Sequence, residues 1–431
     1  MARLLYTLLL YPAAPLVLLR LVWRARRQPA YRHHIGERFG LYSPSAPLPT
    51  QPTIWIHAVS VGEMRAAQPL VAGLRERYPA HRLLLTCMTP TGRDTAVALY
   101  GDVATIAYCP FDFPGAVGRF FDRYSPDVGV LMETELWPNL LAAARRRGLP
   151  VVLANARLSE KSAQGYRRFA GLSRPAIAAL AAVAAQSDAD GARLAALGAR
   201  HVSVCGNLKF DVAPDPEKLA LGRRWRSEIG RRPVWLAAST RDGEEAIILD
   251  AFARLTTADV LLIIVPRHPQ RFDEVAQLLA GRGIATVRRS TGLPDRLTRV
   301  WLGDSMGEMP AYYAAADVAL IGGSLRPFGS QNLIEACACG CPVIVGPSAF
   351  NFAQAIADAL AVGAAQRVEA DPERIAAAVD ELIGEADKRL RMRAAAEGYA
   401  AAHRGATART LVVIAGLVDA AADAVTAPAA R

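Results

Sequence analysis

From Thr53 onward, short apolar runs alternate with stretches of helical period, and this alternation restricts the possible folds more tightly than any other feature. T-I-W-I-H-A-V, R-L-L-L-T-C-M, V-A-T-I-A-Y, V-G-V-L-M-E and V-V-L-A-N-A read as buried strands. Helical patterns fall between them at roughly 63–78, 91–100, 115–123 and 137–148. Strands joined through helices are connected by right-handed crossovers, so the pattern implies a parallel sheet. It continues through A-A-V-A-A-Q-S and H-V-S-V-C-G-N, then meets D-V-A-P-D-P at 211–216, a linker signal rich in Pro and Asp. Beyond it the alternation restarts with P-V-W-L-A-A-S-T, V-L-L-I-I-V-P, A-T-V-R-R, R-V-W-L-G-D, V-A-L-I-G-G-S and P-V-I-V-G. The expected fold class is α/β: two Rossmann-like, doubly wound domains facing a cleft at the carboxyl ends of their strands. The boundaries this suggests are an N-terminal segment 1–28, a first domain 29–212 and a second domain 213–431. The Ala-rich helices from about 371 go with the second domain in that division, although they can pack on either half.

The first 28 residues stand apart from this pattern. L-L-Y-T-L-L-L-Y-P-A-A-P-L-V-L-L, residues 4–19, is followed by Arg20, Leu-Val-Trp and R-A-R-R. At about 1.5 Å per residue the run falls short of a span of about 30 Å, unless Arg20 snorkels and residues 21–23 join in. Pro12 and Pro15 are expected to bend it. A signal peptide ends in small residues at a cleavage site, whereas this run ends in Trp23 and Arg, so an uncleaved anchor helix is the better reading. Whether it spans the bilayer or lies in the interface is open. Its charge agrees with a membrane: of the net +10 of the chain, residues 1–38 carry +6, from seven Arg against the single acid Glu37. A nucleic-acid binder spreads basic residues and aromatics over its folded domains, so no nucleic-acid partner is expected. Arginines on the C-terminal side of the greasy run place the body on the cytoplasmic side.

Several stretches can carry chemistry. W-I-H-A-V-S-V-G-E-M-R-A-A-Q-P-L, residues 55–70, sets Ser60 and Glu63 at capping-box spacing, where Glu reaches back to the cap's N–H. The same carboxylate, on a strand-to-helix turn, also stands where α/β proteins do chemistry. A helix start is expected to lower its pKa. No G-x-G-x-x-G follows the first strand and no G-x-x-x-x-G-K-[ST] occurs. The D-x-D at Asp188 and Asp190 can hold a metal, but Ser187-Asp188 also makes a good helix cap. C-A-C-G-C at 337–341 lacks the C-x-x-C spacing of a metal site and reads as small residues closing a helix. In residues 303–346 a strand ends in Gly322-Gly323-Ser324, a loop with Gly329 follows, and a helix opens at Gln331-Asn332. Glycines admit close backbone approach and a helix start favours phosphate; Glu335, a turn further on, can accept from a ribose diol.

S-L-R-P-F-G-S-Q-N-L-I-E-A-C-A-C-G-C-P-V-I-V-G resembles the nucleotide-binding end of GT-B glycosyltransferases. With G-E-R-F-G, H-A-V-S-V-G-E, M-T-P-T-G, M-E-T-E-L-W-P-N, N-A-R-L-S-E-K-S, G-N-L-K-F-D, P-R-H-P-Q-R-F and G-D-S-M-G-E-M, the chain is similar to 3-deoxy-D-manno-octulosonic acid (Kdo) transferases over about residues 30–360. The resemblance implies a GT-B enzyme of the bacterial inner membrane, moving Kdo from CMP-Kdo onto the lipid A precursor, lipid IVA, without a metal or other cofactor. By motif it implies Glu63 as general base, and Glu133 and Lys209 as residues that stabilise the transition state. It also implies Arg267, His268, Met306, Gly307, Glu308, Asn332, Leu333, Ile334 and Glu335 as the CMP-Kdo-binding set. Structural readings stand beside these: Glu133 can pair with an Arg, Lys209 can be a solvated loop cation, and His268 can cap a strand end. Two other classes fit the architecture, a nucleotide-sugar epimerase acting on its donor alone and a non-catalytic membrane-tethered binding module. The anchor and its arginines argue against a soluble epimerase.

Overall fold

The computed structural model describes residues 1–42 and 51–426, which form two compact units. One comprises residues 1–212 together with the chain from Arg404 onward; the other is Ala213–His403.

In the first unit seven parallel strands follow in chain order: β1 Thr53–His57, β2 Arg82–Cys87, β3 Ala104–Tyr108, β4 Val128–Met132, β5 Val151–Ala156, β6 Ala182–Ala185 and β7 Val202–Val204. Their order in the sheet is β3-β2-β1-β4-β5-β6-β7. The apolar runs are continuous rather than alternating because helices cover both faces, and every residue of β1, β4 and β5 is buried. The sheet changes direction between β1 and β4, paired through Ile54–Val128 and Ile56–Val130. Each sheet face has its own core: Trp55, Phe120, Leu131 and Leu153 lie in one, Ile54, Ile56, Leu85 and Val130 in the other.

The second unit repeats the plan with β8 Val234–Thr240, β9 Leu261–Pro266, β10 Thr286–Arg288, β11 Val300–Leu302, β12 Val318–Ile321, β13 Val343–Val345 and β14 Ala365–Arg367. All its pairings are parallel, in the order β10-β11-β9-β8-β12-β13-β14, with the reversal between β8 and β12. The α/β expectation therefore holds for both halves.

Two local expectations need correction, and the N-terminal run takes a definite form. The helical stretch at 63–78 is two helices, Val61–Ala66 and Gln68–Arg77, since Pro69 has no N–H to continue the first. The greasy run forms one helix, Ala2–Arg27, that carries Pro12 and Pro15 inside it. The last helix, Ala406–Thr426, belongs to the first unit, not the second as the 213–431 division supposed. Asp211 accepts the Gly405 N–H at 2.6 Å, Arg409 Nε donates to Cys205 O at 2.9 Å, and Ile414 and Val418 enter the first unit's core. The helices Pro372–Gly384 and Ala386–Ala402 stay with the second unit.

Candidate active site

The turn after β1 carries Glu63. Ser60 caps the helix Val61–Ala66, and the Glu63 carboxylate reaches back, accepting the Val59 N–H at 2.8 Å and the Ser60 hydroxyl at 3.0 Å. The capping box is thus formed, one residue further back than its usual pattern. A second cap supports the turn: Thr89, of M-T-P-T-G, accepts the Gly92 N–H at 3.1 Å and donates to Val59 O at 3.2 Å. The expected lowering of the Glu63 pKa is overturned. Burial, then the charge of Glu133, raises it to about 7 against the pull of the Val59 N–H. The short helix offers too little dipole to offset desolvation.

Glu133 follows β4, next to β1 across the sheet reversal, and adopts a left-handed backbone (φ 59°). That conformation is costly without glycine and clusters at functional sites. Lys209 Nζ donates to Glu133 Oε1 at 2.7 Å, so Lys209 is not a solvated loop cation but one side of a half-buried ion pair. Burial works to raise the Glu133 pKa, but Lys209 and Arg157 hold it below its ordinary value. Lys209 comes from the loop after β7. Asn155 at the end of β5, also left-handed (φ 52°), brings that loop inward by accepting the Leu208 N–H at 3.0 Å. Glu135 completes the group: Trp137 Nε1 donates to it at 2.9 Å, and burial raises its pKa. Sequence reasoning passed over Asn155 and Glu135, although both lie in quoted motifs, N-A-R-L-S-E-K-S and E-T-E-L-W-P-N.

G-E-R-F-G is a brace. Glu37 accepts the Tyr108 N–H at 2.7 Å and Arg93 Nη1 at 3.1 Å; the buried Arg38 donates to Met88 O at 2.9 Å over the Tyr108 ring. The D-x-D is a cap, as its alternative reading had it: Ser187 accepts the Asp190 N–H at 3.2 Å, and Asp190 accepts the Leu158 N–H at 2.8 Å. Among the described residues no cluster of three or more His, Cys, Asp or Glu could hold a metal. All six cysteines are free.

In the second unit the strand ends at β8, β9 and β12 build a cationic group. Arg267 follows β9 and donates from Nε to Gln331 Oε1 at 3.2 Å; Arg241 Nη1 lies 2.9 Å from His268 Nε2 and stacks on the Phe328 ring. Burial first, then Arg267, Arg241 and Arg271, lower the His268 pKa to about 4, so its ring is neutral at pH 7. Gly322 and Gly323 end β12: a Cβ at Gly322 would meet Ser239 O at 2.4 Å, and Gly323 is left-handed (φ 70°). Glu244 fastens this turn, accepting the Gly323 N–H at 2.6 Å and the Leu325 N–H at 2.9 Å.

The remaining members of the set lie on two further turns. Asn332 caps the helix Leu333–Ala338 by accepting the Ile334 N–H at 3.1 Å. Leu333 and Ile334 are buried core side chains, so only backbone there can meet a ligand, while Glu335 is half-buried in the first turn. Met306 is exposed, Gly307 is left-handed, and Glu308 pairs with Arg289 at 3.2 Å in the loop after β11. The structure thus gathers Glu63, Glu133 and Lys209 at strand ends of one unit, and distributes the residues expected to bind CMP-Kdo over strand ends and turns of the other.

Residues 33–212 match the family model described as 3-deoxy-D-manno-octulosonic-acid transferase (kdotransferase), and residues 247–399 match glycosyl transferases group 1. A 3-deoxy-D-manno-octulosonic acid transferase of Bordetella pertussis is 47% identical over 95% of this chain and 98% of its own. The chain belongs to the Kdo transferase family. It is a glycosyltransferase, as both family models and this relative agree. Solved structures show the fold. A glycosyltransferase from Rickettsia africae aligns over 86% of this chain and 99% of its own, at 15% identity and a TM-score of 0.60. A UDP-GlcNAc 2-epimerase from Neisseria meningitidis, bound to UDP-GlcNAc, aligns over 84% and 99%, at 14% identity and a TM-score of 0.59. The GT-B fold is therefore shared with epimerases, and it is the sequence identity that assigns this chain to Kdo transferases.

Proposed function

We propose that this Kdo transferase moves Kdo from CMP-Kdo onto the lipid A precursor, lipid IVA, in lipopolysaccharide biosynthesis, with inversion at the anomeric carbon and at the cytoplasmic face of the inner membrane. The observation that carries the reading is the Glu63 carboxyl, raised to about 7 at a capped turn and within the field of the Glu133–Lys209 pair. A general base works best with a pKa near the working pH. In this reaction an acceptor hydroxyl oxygen forms a bond to the anomeric carbon and its proton passes to Glu63. The bond from that carbon to the phosphate oxygen breaks, and CMP leaves with the electron pair. A single displacement inverts the centre. Positive charge builds on the sugar as the bond to CMP weakens, and Glu133, held ionised by Lys209, stabilises it.

Binding of CMP-Kdo falls to the second unit in this reading. Arg267 and the neutral His268, beside Arg241, supply charge and a hydrogen bond to the phosphate, while the Gly322-Gly323 turn lets backbone approach. Glu335 takes the ribose hydroxyls, and Met306, Gly307, Glu308 and Asn332 shape the rest of the nucleotide site. Cationic side chains meet the leaving phosphate's charge, so the reading calls for no metal.

The deciding experiment incubates membranes with CMP-Kdo, with and without lipid IVA, and follows lipid product by mass spectrometry. Lipid-dependent release of CMP with a mass gain of whole Kdo units is expected. Turnover of CMP-Kdo indifferent to lipid overturns the reading in favour of a donor-only enzyme. Calorimetry with CMP alone tests the division of labour: Glu335→Ala should weaken binding about tenfold, the scale of losing one hydrogen bond to a charged group. Glu63→Ala should leave it unchanged.

A further inference from the structure

The N-terminal helix Ala2–Arg27 is covered along one face from end to end. Arg3, Thr7, Leu10, Ala14, Val17 and Leu21 recur at three- and four-residue steps, and each is buried or half-buried. The covering groups belong to the first unit. The Thr7 hydroxyl lies 3.0 Å from Asn139 Oδ1, Tyr11 packs on Phe113 at 5.6 Å, and Ala2 lies against Gly171. At the other end the 3-10 turn Pro29–Arg32 folds back toward the helix, and Arg24 reaches the Tyr31 ring at 5.5 Å. The opposite face is exposed and apolar: Leu5, Leu8, Leu16 and Leu19 are each more than half exposed.

A helix of 26 residues is about 39 Å long, enough to cross a bilayer on length alone. To cross it, however, the helix must leave the body behind, and this one is joined to the body through Ala2, Thr7 and Tyr11. We propose that the helix lies in the plane of the membrane, with its exposed leucine face in an anionic lipid surface and its N-terminus on the same side as the catalytic body. A second contact extends that surface. Phe169, 71% exposed between the helices Glu160–Arg168 and Ala170–Ile177, sits two residues from the Gly171 that meets Ala2. Arg167, Arg168 and Arg174 are exposed around it, as Arg20, Arg24 and Arg26 are on the helix. Apolar groups ringed by arginines complement acyl chains beneath anionic headgroups.

This inference does not depend on the transfer reaction, and its test uses none. In the full-length chain, a hydrophilic tag bearing one cysteine is placed before Met1, and membranes are probed with a maleimide that cannot cross the bilayer. Labelling above the untagged background in inverted vesicles, and none in sealed right-side-out vesicles, is the expected result; the reverse pattern means the helix spans and overturns the proposal. For the second contact, full-length Phe169→Glu is sedimented with vesicles of phosphatidylglycerol and phosphatidylethanolamine. Binding about tenfold weaker than wild type is expected, with Phe169→Trp restoring it. Sedimentation of Phe169→Glu equal to wild type removes Phe169 from the membrane surface.

Discussion

Glu63 shows how a residue can satisfy a local rule while tertiary context changes its chemistry. Its spacing from Ser60 gives a capping box, and the box is there, yet burial and Glu133 place its pKa near 7, well above the ordinary 4.5. The folded protein therefore holds this proton more tightly than the unfolded chain does. The group's contribution to stability is fully present below about pH 4.5 and is lost as pH rises through 7. Glu63→Gln keeps a neutral acceptor at every pH. Its unfolding free energy should match wild type near pH 5 and exceed it at pH 8 by an amount on the order of 1–3 kcal/mol. Lipid transfer by this variant should fall roughly a hundredfold or more, because an amide cannot take a proton from a hydroxyl. Wild-type transfer should climb with pH around a midpoint near 7. A Gln variant less stable than wild type at pH 8, with near-normal transfer, would leave Glu63 as a cap and move the base elsewhere.

At the scale of elements, the candidate site residues of the first unit lie where parallel strands end. Glu133 after β4, Asn155 on β5 and Ser239 on β8 are all left-handed without being glycine. Strain of this kind persists because the surrounding hydrogen bonds fix it. Asn155 is the most informative of the three, since its side chain links β5 to the loop that carries Lys209. Asn155→Gly keeps the backbone conformation but leaves the Leu208 N–H buried without its acceptor. The cost should be about 1–3 kcal/mol, read from denaturant unfolding. Transfer should drop at least tenfold as Lys209 loses its register with Glu133, while CMP affinity by calorimetry stays the same. Unchanged transfer would show that the ion pair orders the loop without help. In sequence these strands were legible, because helices on both faces make their apolar runs continuous. The left-handed residues were not: one positive φ leaves no mark in periodicity.

Across the whole molecule, the chain closes on its own beginning. It leaves the first unit after Val212, builds the second, and returns from Arg404 onward to cover the first sheet. Asp211 fastens both passages, since it ends the first segment and accepts the Gly405 N–H where the chain comes back. Ile414 and Val418 are buried in the first core, and Leu411 lies against Gly73. Each such apolar side chain is worth about 1.5–3 kcal/mol on burial. A chain ending at His403 should therefore lose protection in the first unit by hydrogen exchange, and with it lipid transfer. CMP binding by the second unit should survive. Loss of CMP binding together with transfer would mean that the second unit also depends on the last helix.

Periodicity, turn residues and motif order determined two parallel α/β sheets, a linker near 212, an apolar N-terminal helix and a family resemblance that the comparisons bear out. These follow from short-range physics: side-chain direction alternates along a strand, recurs every 3.6 residues along a helix, and breaks at Pro and Gly. Tertiary structure alone decided the rest. It returned the last helix to the first unit, seated the N-terminal helix on the body, and paired Lys209 with Glu133 across 76 residues of chain. It also reversed the direction of the Glu63 pKa shift. Each of these depends on which surfaces meet and how much water they exclude, and an Ala-rich amphipathic helix or a single carboxylate carries no record of its distant neighbours.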